Sequence, residues 1–268
     1  MPVPPMTEIL GTVARALSVL TTLAEAKGPV GVKDVAAALN LPMSTSHRLL
    51  DLLLDAGFVE KDQTRRRYGI GMEFFRLANL VSQRTSYAAL VQPALDRIKN
   101  ETGESTIFSV YVPAKHAAMY SAKSDSPNSL RFRIVLSQDV PIEWGASGQA
   151  ILAYLPPDVQ AEIQASPRPS PTARKKLSCS AFFERIQSVQ RNGYALSEGE
   201  KLADSIGIAV PVMLGADRPA GSITLTIPKV RFVRSKLSSY VALLKKEAEG
   251  LSGGPAERSA TASRGKTK

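Results

Sequence analysis

Gly31-Val-Lys-Asp-Val-Ala-Ala-Ala-Leu-Asn40-Leu-Pro-Met-Ser-Thr-Ser-His-Arg-Leu-Leu50 is the stretch whose reading decides the fold. Val32, Val35, Ala36 and Leu39 fall on one face of a short helix. Asn40 tolerates a left-handed turn and Pro42 cannot continue a helix interior, so the helix stops there. A second helix follows, with Pro42 at its first position, Leu49, Leu50, Leu52 and Leu53 directed inward, and Ala56-Gly57 closing it. Two short helices joined by a tight turn make a helix-turn-helix, whose second helix enters a DNA major groove.

The face of that second helix left free by the leucines carries Ser44, Thr45, Ser46, His47 and Arg48 near its N-terminal end. Small hydroxyls there suit phosphate, to which a helix N-terminus adds positive potential. Arg48 has the reach for a phosphate or the bidentate geometry for a guanine edge. Downstream, Phe58-Val59-Glu60-Lys61 and Arg67-Tyr68-Gly69-Ile70 read as two strands, with Phe58, Tyr68 and Ile70 inward. Between them, Arg65, Arg66 and Arg67 make a basic tip suited to sequence-independent phosphate contact. A helix-turn-helix followed directly by a basic hairpin is a winged helix.

Upstream, Ile9, Val13, Leu17, Leu20 and Leu23 recur at threes and fours and predict one apolar helical stripe, ended by Lys27-Gly28-Pro29. The Pro-rich residues 1–6 read as loose.

Leu41-Pro42-Met43-Ser44-Thr45-Ser46-His47-Arg48-Leu49-Leu50, then Ala56-Gly57-Phe58-Val59, resembles the signature of IclR-type bacterial transcription regulators. Arg15 to Leu20 resembles that family's opening helix. One departure is Met43, which stands where the family often has lysine or arginine.

Composition bounds the rest. A chain of 268 residues has room for two domains with real cores. No apolar run is long enough to span a bilayer. Glu8 and Arg15 interrupt the N-terminal apolar pattern, which reads as an amphipathic helix rather than a secretion signal. Cys179 is the single cysteine and His47 and His116 the only histidines, so neither an internal disulfide nor a cysteine/histidine zinc site is expected, and no cofactor. The expectation is a cytoplasmic protein without membrane association. The formal charge is +10, but residues 1–70 hold eight lysines and arginines against seven acids. Placement of Arg48 and Arg65 to Arg67 therefore argues for DNA better than total charge does.

Beyond the hairpin, residues 72–81 predict a linker helix, with a boundary near residue 84. Tyr87, Leu90, Val91, Leu95 and Ile98 then form a helical stripe ended by Thr102-Gly103. Strands are expected over residues 104–112, 117–122, 130–136, 206–213 and 221–227, with Asp217-Arg218-Pro219 connecting the last two. Helices are expected over 147–155, 157–165 and 181–192, and a final one over 237–251. Residues 166–172, with three prolines, read as an exposed loop. Residues 252–268 read as a disordered basic tail. Strands with helices outside suggest α+β. The domain boundaries expected are 1–71 for an N-terminal winged helix-turn-helix, 72–84 for the linker helix and 85–251 for a C-terminal domain. The resemblance implies that this last domain is GAF-like and effector-binding.

Trp144-Gly145-Ala146-Ser147-Gly148-Gln149-Ala150 precedes an apolar helical run, and unshielded N–H groups at such a start favour a carboxylate or phosphate. A tight loop needing glycine accounts for the same residues. Ser222, Thr224 and Thr226 share one strand face opposite Ile223, Leu225 and Ile227; that face is either a pocket lining or simply wet. The family resemblance implies that Ala146 and Ser147 present amides to a bound organic acid, and that Ser197, Thr224 and Thr226 line its pocket. Phe132 is a candidate wall. Glu143, Trp144 and Gln149 depart from the family, and Trp144 is a candidate for stacking on an aromatic effector or plugging the pocket.

The resulting expectation is a DNA-binding regulator, a homodimer or dimer of dimers on a pseudo-palindromic operator, controlled by a small acid. One alternative keeps the DNA-binding domain and leaves the second domain only an oligomerisation role. Another, a hydrolase with Ser147 as nucleophile, lacks the Gly-x-Ser-x-Gly spacing of a nucleophile elbow, and His116 has no recognisable acidic orienter.

Overall fold

The computed structural model describes residues 11–62, 64–84, 87–214 and 218–251. They divide into two compact units, one within residues 1–86 and one within residues 87–268. The expected loose start at residues 1–6, Ile9 and the expected tail from residue 252 lie outside the described residues.

The first unit holds α1 (Thr12–Glu25), α2 (Val32–Leu39), α3 (Met43–Asp55), β1 (Val59–Asp62), β2 (Arg67–Ile70) and α4 (Met72–Arg84). Asp34 accepts a 2.9 Å hydrogen bond from the Gly31 N–H and so fixes the start of α2. Asn40 ends it at φ +50°, in the left-handed region that asparagine tolerates. Pro42 sits one residue earlier than expected, as the N-cap of α3. The core gathers Val19, Leu23, Val35, Leu49, Leu50, Leu53, Val59 and Tyr68.

Two readings of the helices need correction. On α1 the inward side is Ala16, Val19, Leu20 and Leu23, while Val13 and Leu17 are exposed. On α3, Leu52 is 53 % exposed whereas Ser46 is fully buried. The interhelical packing therefore selects the stripe 46-49-50-53, spaced at threes and fours.

The hairpin pairs Val59 with Ile70 and Asp62 with Arg67 in antiparallel register. Tyr68 is its inward anchor and Val59 the second, while Phe58 and Ile70 are only partly buried. Tyr68 also exchanges backbone hydrogen bonds of 2.8 and 2.9 Å with Val30, tying the hairpin to the segment before α2.

The second unit holds α5 (Tyr87–Thr102), β3 (Ser105–Val112), β4 (Ala117–Ser124), β5 (Asp139–Pro141), α6 (Gly145–Leu152), α7 (Pro157–Ala165), α8 (Cys179–Asn192), β6 (Ala195–Glu198), β7 (Ser205–Leu214), β8 (Arg218–Pro228) and α9 (Leu237–Leu251). Its six strands form one antiparallel sheet in the order β5-β4-β3-β8-β7-β6. Val91, Leu95 and Ile98 of α5 and Val241 and Leu244 of α9 pack on Phe108, Ile208, Val210, Ile223, Leu225 and Ile227. The opposite face carries Ser109, Gly207, Ala209, Ser222, Thr224 and Thr226, and α6 lies over it.

Expected strand 130–136 does not form. The edge of β4 is instead met by β5, and Ser137 at φ +58° breaks the extended run before it. Arg218 and Pro219, expected in a connection, belong to β8. Helix α6 begins two residues before the expected 147–155 span and ends at Leu152.

Close approaches mark where the sheet admits no side chain. A Cβ on Gly221 would lie 2.0 Å from the Ser109 carbonyl oxygen on the paired strand. Gly221→Ala is therefore expected to lower stability by about 1–3 kcal/mol. Gly69→Ala, whose Cβ would meet only the Glu60 side chain at 3.6 Å, should stay within about 0.5 kcal/mol. Urea midpoints of the two variants check both.

Candidate functional site

In the first unit, burial of Ser46, Leu49, Leu50 and Leu53 turns Ser44, His47 and Arg48 outward, with Thr45 at the edge. Ser46 is a correction: its hydroxyl donates to the Pro42 carbonyl at 3.2 Å and faces the core, so it offers nothing to an outside partner. His47 is exposed and hydrogen bonded through Nδ1 to Asp51 one turn on, at 2.8 Å, which orients the ring.

The hairpin brings its cations to the same side. Lys61, Arg65, Arg66 and Arg67 line an open groove of about 600 Å³ together with Met43 and His47 of α3 and Lys33 of α2. Arg66 sits at φ +49° in the tight tip, and Asp62 accepts from the backbone N–H groups of Thr64 and Arg65 at 2.9 and 3.1 Å. That turn is held by its own aspartate, which leaves the Arg65 and Arg66 side chains exposed. Arg67 differs: its guanidinium donates to the Pro29 carbonyl at 3.0 Å, so it braces the wing as well. Lys61 lies over the Tyr68 ring at 5.2 Å. Of the groove's titratable residues, one is acidic: Asp34, already engaged at the start of α2.

In the second unit the start of α6 is covered by the turn after β6. Glu200 accepts from the Gly145 N–H at 2.8 Å and Ser197 from the Ala146 N–H at 2.8 Å. Of the two amides expected to face an acid, that of Ala146 thus has a protein partner. Glu200 also takes Gln149 at 2.7 Å and Arg185 at 2.8 Å. Ser147 lies deeper, its carbonyl accepting from Ser222 at 2.9 Å. Thr224 and Thr226 lie on the same sheet face at 3 % and 6 % exposure, so the hydroxyl face is buried rather than wet. The Thr224 and Ser109 hydroxyls are buried with no hydrogen-bond partner among the described residues. Such groups cost free energy unless something answers them.

Lys201, which the sequence reading passed over, completes this layer. Its Nζ donates to the Ser147 hydroxyl at 3.0 Å and stands 5.7 Å from the Tyr120 ring centroid. Its stem crosses Gly145 so closely that a Cβ there would lie 2.7 Å from Cδ. Burial pushes the ammonium down to about 7; Glu200 and Glu143 oppose the shift and Arg168 adds to it. Burial likewise raises the Tyr120 phenol, offset in part by its hydrogen bond with Ser147.

Trp144 is a second correction. Its indole N–H donates to the Arg168 carbonyl at 2.8 Å and the Arg185 guanidinium lies 5.0 Å from its ring centroid. With Glu143 it anchors the loop at residues 166–172 instead of presenting a free ring. Glu143 is 1 % exposed and takes Arg168 at 2.9 Å, together with the Arg168 backbone N–H at 3.0 Å. Phe132 is half-buried in the irregular connection between β4 and β5, whose Ile134 packs on Ile107 and Tyr120. His116 is bonded to Tyr111 at 3.1 Å and faces Glu162 at 3.5 Å.

A winged helix-turn-helix with a cationic groove, and a sheet domain with a buried polar layer, define a class of DNA-binding proteins. The family profile described as "Bacterial transcriptional regulator IclR C-terminal" matches residues 80–253, and "IclR helix-turn-helix domain" matches residues 12–63. The chain belongs to the IclR family of transcription regulators. It is 23 % identical over 246 residues to the transcriptional repressor IclR of Escherichia coli, covering 91 % of this chain and 90 % of that one. It is 24 % identical over 245 residues to the HTH-type transcriptional regulator BhcR of Paracoccus denitrificans, covering 91 % and 87 %. Both relatives are transcription regulators. Among solved structures, an IclR-type regulator from a Silicibacter species superposes with a TM-score of 0.79 at 25 % identity, covering 90 % of this chain and 94 % of that one. An IclR homologue from Microbacterium hydrocarbonoxydans, complexed with 4-hydroxybenzoate, gives 0.65 at 21 %, covering 90 % and 97 %.

The Glu143–Arg168 pair yields a stability prediction. Arg168→Met leaves a buried carboxylate without its cation and should cost about 3–5 kcal/mol, whereas adding Glu143→Leu to it should recover most of the loss. Denaturant titration of the single and double variants checks this.

Proposed function

We propose that this protein is a ligand-responsive transcription regulator that grips an operator with α3 and the wing together. The observation that carries the reading is the single groove in which the exposed side of α3 meets the wing cations. Ser44, Thr45, His47 and Arg48 are assigned to the duplex at the helix mouth, and Arg65, Arg66 and Arg67 to its phosphates. Ser46 supports the packing of α3 and is not assigned a DNA contact.

Residues 1–71 are assigned to DNA binding, 72–84 to a linker helix and 85–251 to the effector-binding domain. The protein acts as a homodimer, or a dimer of dimers, on a pseudo-palindromic site. Support for self-association comes from α4, where Met72, Phe75 and Val81 are each more than half exposed, and from the outward Val13 and Leu17 of α1. No helix among the described residues is long and apolar enough to cross a membrane, and the cytoplasm is the assigned compartment.

The second unit holds a small organic acid. Buried unpartnered hydroxyls beside Ser147 and the 4-hydroxybenzoate complex of one relative support this. Ser147, Ser197, Thr224 and Thr226 are the assigned lining, with Ala146 as backbone. Ligand binding would shift operator affinity by a coupling of about 1–3 kcal/mol. Titrating DNA binding against a panel of aliphatic and aromatic acids tests it; a ligand that binds without changing operator affinity would remove the sensing role.

Two substitutions test the grip. Arg48→Ala should weaken operator binding, with sequence preference relaxed by about 1–3 kcal/mol at one position if the side chain reads a base edge. The double variant Arg65→Ala/Arg66→Ala should weaken binding to all sequences and flatten the log–log salt slope by about 0.9 per lost phosphate contact. An unchanged slope would take the wing off the DNA. Arg67 is left in place because it also holds Pro29.

A further inference from the structure

We propose that Lys201 is the counter-ion of the bound acid, its ammonium and the Ser147 hydroxyl together forming the seat of one carboxylate. This rests on the effector reading above and assigns to that site a residue the sequence did not single out.

The argument begins with hydrogen-bond capacity. A lysine ammonium has three N–H donors. Among the described residues Lys201 uses one, on Ser147. The two carboxylates that act on it electrostatically are otherwise engaged. Glu200 binds Arg185, Gln149 and the Gly145 N–H, and Glu143 binds Arg168. A half-buried ammonium with donors that the protein does not use is suited to receive an anion.

The surroundings favour a singly charged organic acid over phosphate. One ammonium and one hydroxyl match one carboxylate in charge. Ile107, Ile134 and Tyr120 form an apolar cluster beside the seat, suited to the body of such a molecule. Ser109 and Ser222 are paired across β3 and β8, and Thr224 lies two residues on along the same face. Of these, Ser109 and Thr224 have unpartnered hydroxyls, which supply a second polar anchor.

The same burial makes the seat sensitive to pH. The groups facing Lys201 are Ser147 of α6, Tyr120 of β4, Glu200 beside it in its own turn, Glu143 before α6 and Arg168 of the 166–172 loop. The group titrates at about 7 without ligand, and an anion favours its protonated form. Affinity for the acid should therefore be full below pH 7 and fall as pH rises through it, approaching tenfold per pH unit. In the ligand-free protein the sign is opposite. The folded state holds fewer protons than the unfolded between about pH 7 and the ordinary lysine value, so this group makes stability rise with pH across that window.

The test is isothermal titration of the full chain with acetate, benzoate and 4-hydroxybenzoate, each beside its amide, from pH 6 to 9. Wild type should bind at least one acid, prefer it to the amide by tenfold or more at pH 6, and lose that preference towards pH 9. Lys201→Met should abolish the preference at every pH. Lys201→Arg, which does not deprotonate in this range, should keep binding but lose the pH dependence. Equal binding of an acid to wild type and Lys201→Met, with the same pH profile, would overturn the role of Lys201 while leaving the effector reading in place. Failure of every acid and amide would overturn both. To separate a folding defect of Lys201→Met from a lost counter-ion, the ligand-free melting temperature is followed over the same pH range. Wild type should rise relative to Lys201→Arg above pH 7, and parallel curves would also contradict the inference.

Discussion

The burial of one stripe of α3 is the constraint from which the first unit follows. Leu49, Leu50 and Leu53 lie against Val19, Leu23 and Val35, with Ser46 buried on the same stripe, and their insertion fixes the rotation of the helix about its axis. Once that rotation is set, Ser44, His47 and Arg48 have no choice of direction. Tyr68 does the same for the hairpin. Fully buried and bridged to Val30, it sets which strand face points inward and therefore where the arginine tip projects. The groove is thus a by-product of two apolar anchors rather than of any contact between its own cations, which repel one another and are held apart by the fold.

The second unit uses a different device. One sheet face carries large aliphatic residues under α5 and α9, while the other carries serine, threonine, glycine and alanine under α6. Small residues let α6 approach closely: a Cβ on Gly207 would meet Ala146 at 3.2 Å, and one on Gly148 would meet the Ile142 carbonyl at 2.3 Å. The gain in proximity comes with buried hydroxyls, and two of them, on Ser109 and Thr224, are left unanswered among the described residues. A layer of this kind is a poor way to build a core and a serviceable way to receive a polar ligand.

Much of the fold was legible because the periodicities are strong where a single partner decides them. The helix-turn-helix, the hairpin, the long strands β7 and β8 and the closing helix all follow from spacing and from Asn40, Gly193 and the prolines. The errors fall where two patterns compete. Thr12–Glu25 contains overlapping apolar stripes, and only the presence of α2 and α3 selects Val19 over Val13 and Leu17. In Leu49-Leu50-Asp51-Leu52-Leu53-Leu54 the spacing does not say which leucine is outside. Residues 130–136 alternate like a strand, but the edge of β4 is taken by Asp139–Pro141. The site was less legible still. Ser147 and Thr224 stood out through family resemblance, whereas Lys201, in the turn Gly199-Glu200-Lys201, reads as an ordinary solvated charge. Its partial burial depends on the long-range approach of that turn to Gly145, which no local pattern encodes.

The central claim is that the mouth of α3 and the tip of the wing hold one duplex at one place. It is tested most directly by tethered cleavage. With Cys179 changed to serine, a single cysteine carrying an iron chelate is placed at exposed Ser44 or exposed Thr64, and the protein is bound to DNA flanking its own gene. The account predicts that both tethers cut the same half-site, within about half a helical turn (roughly 5 bp) of each other. Cutting from Ser44 alone, or cuts from the two tethers on unrelated stretches, would contradict it.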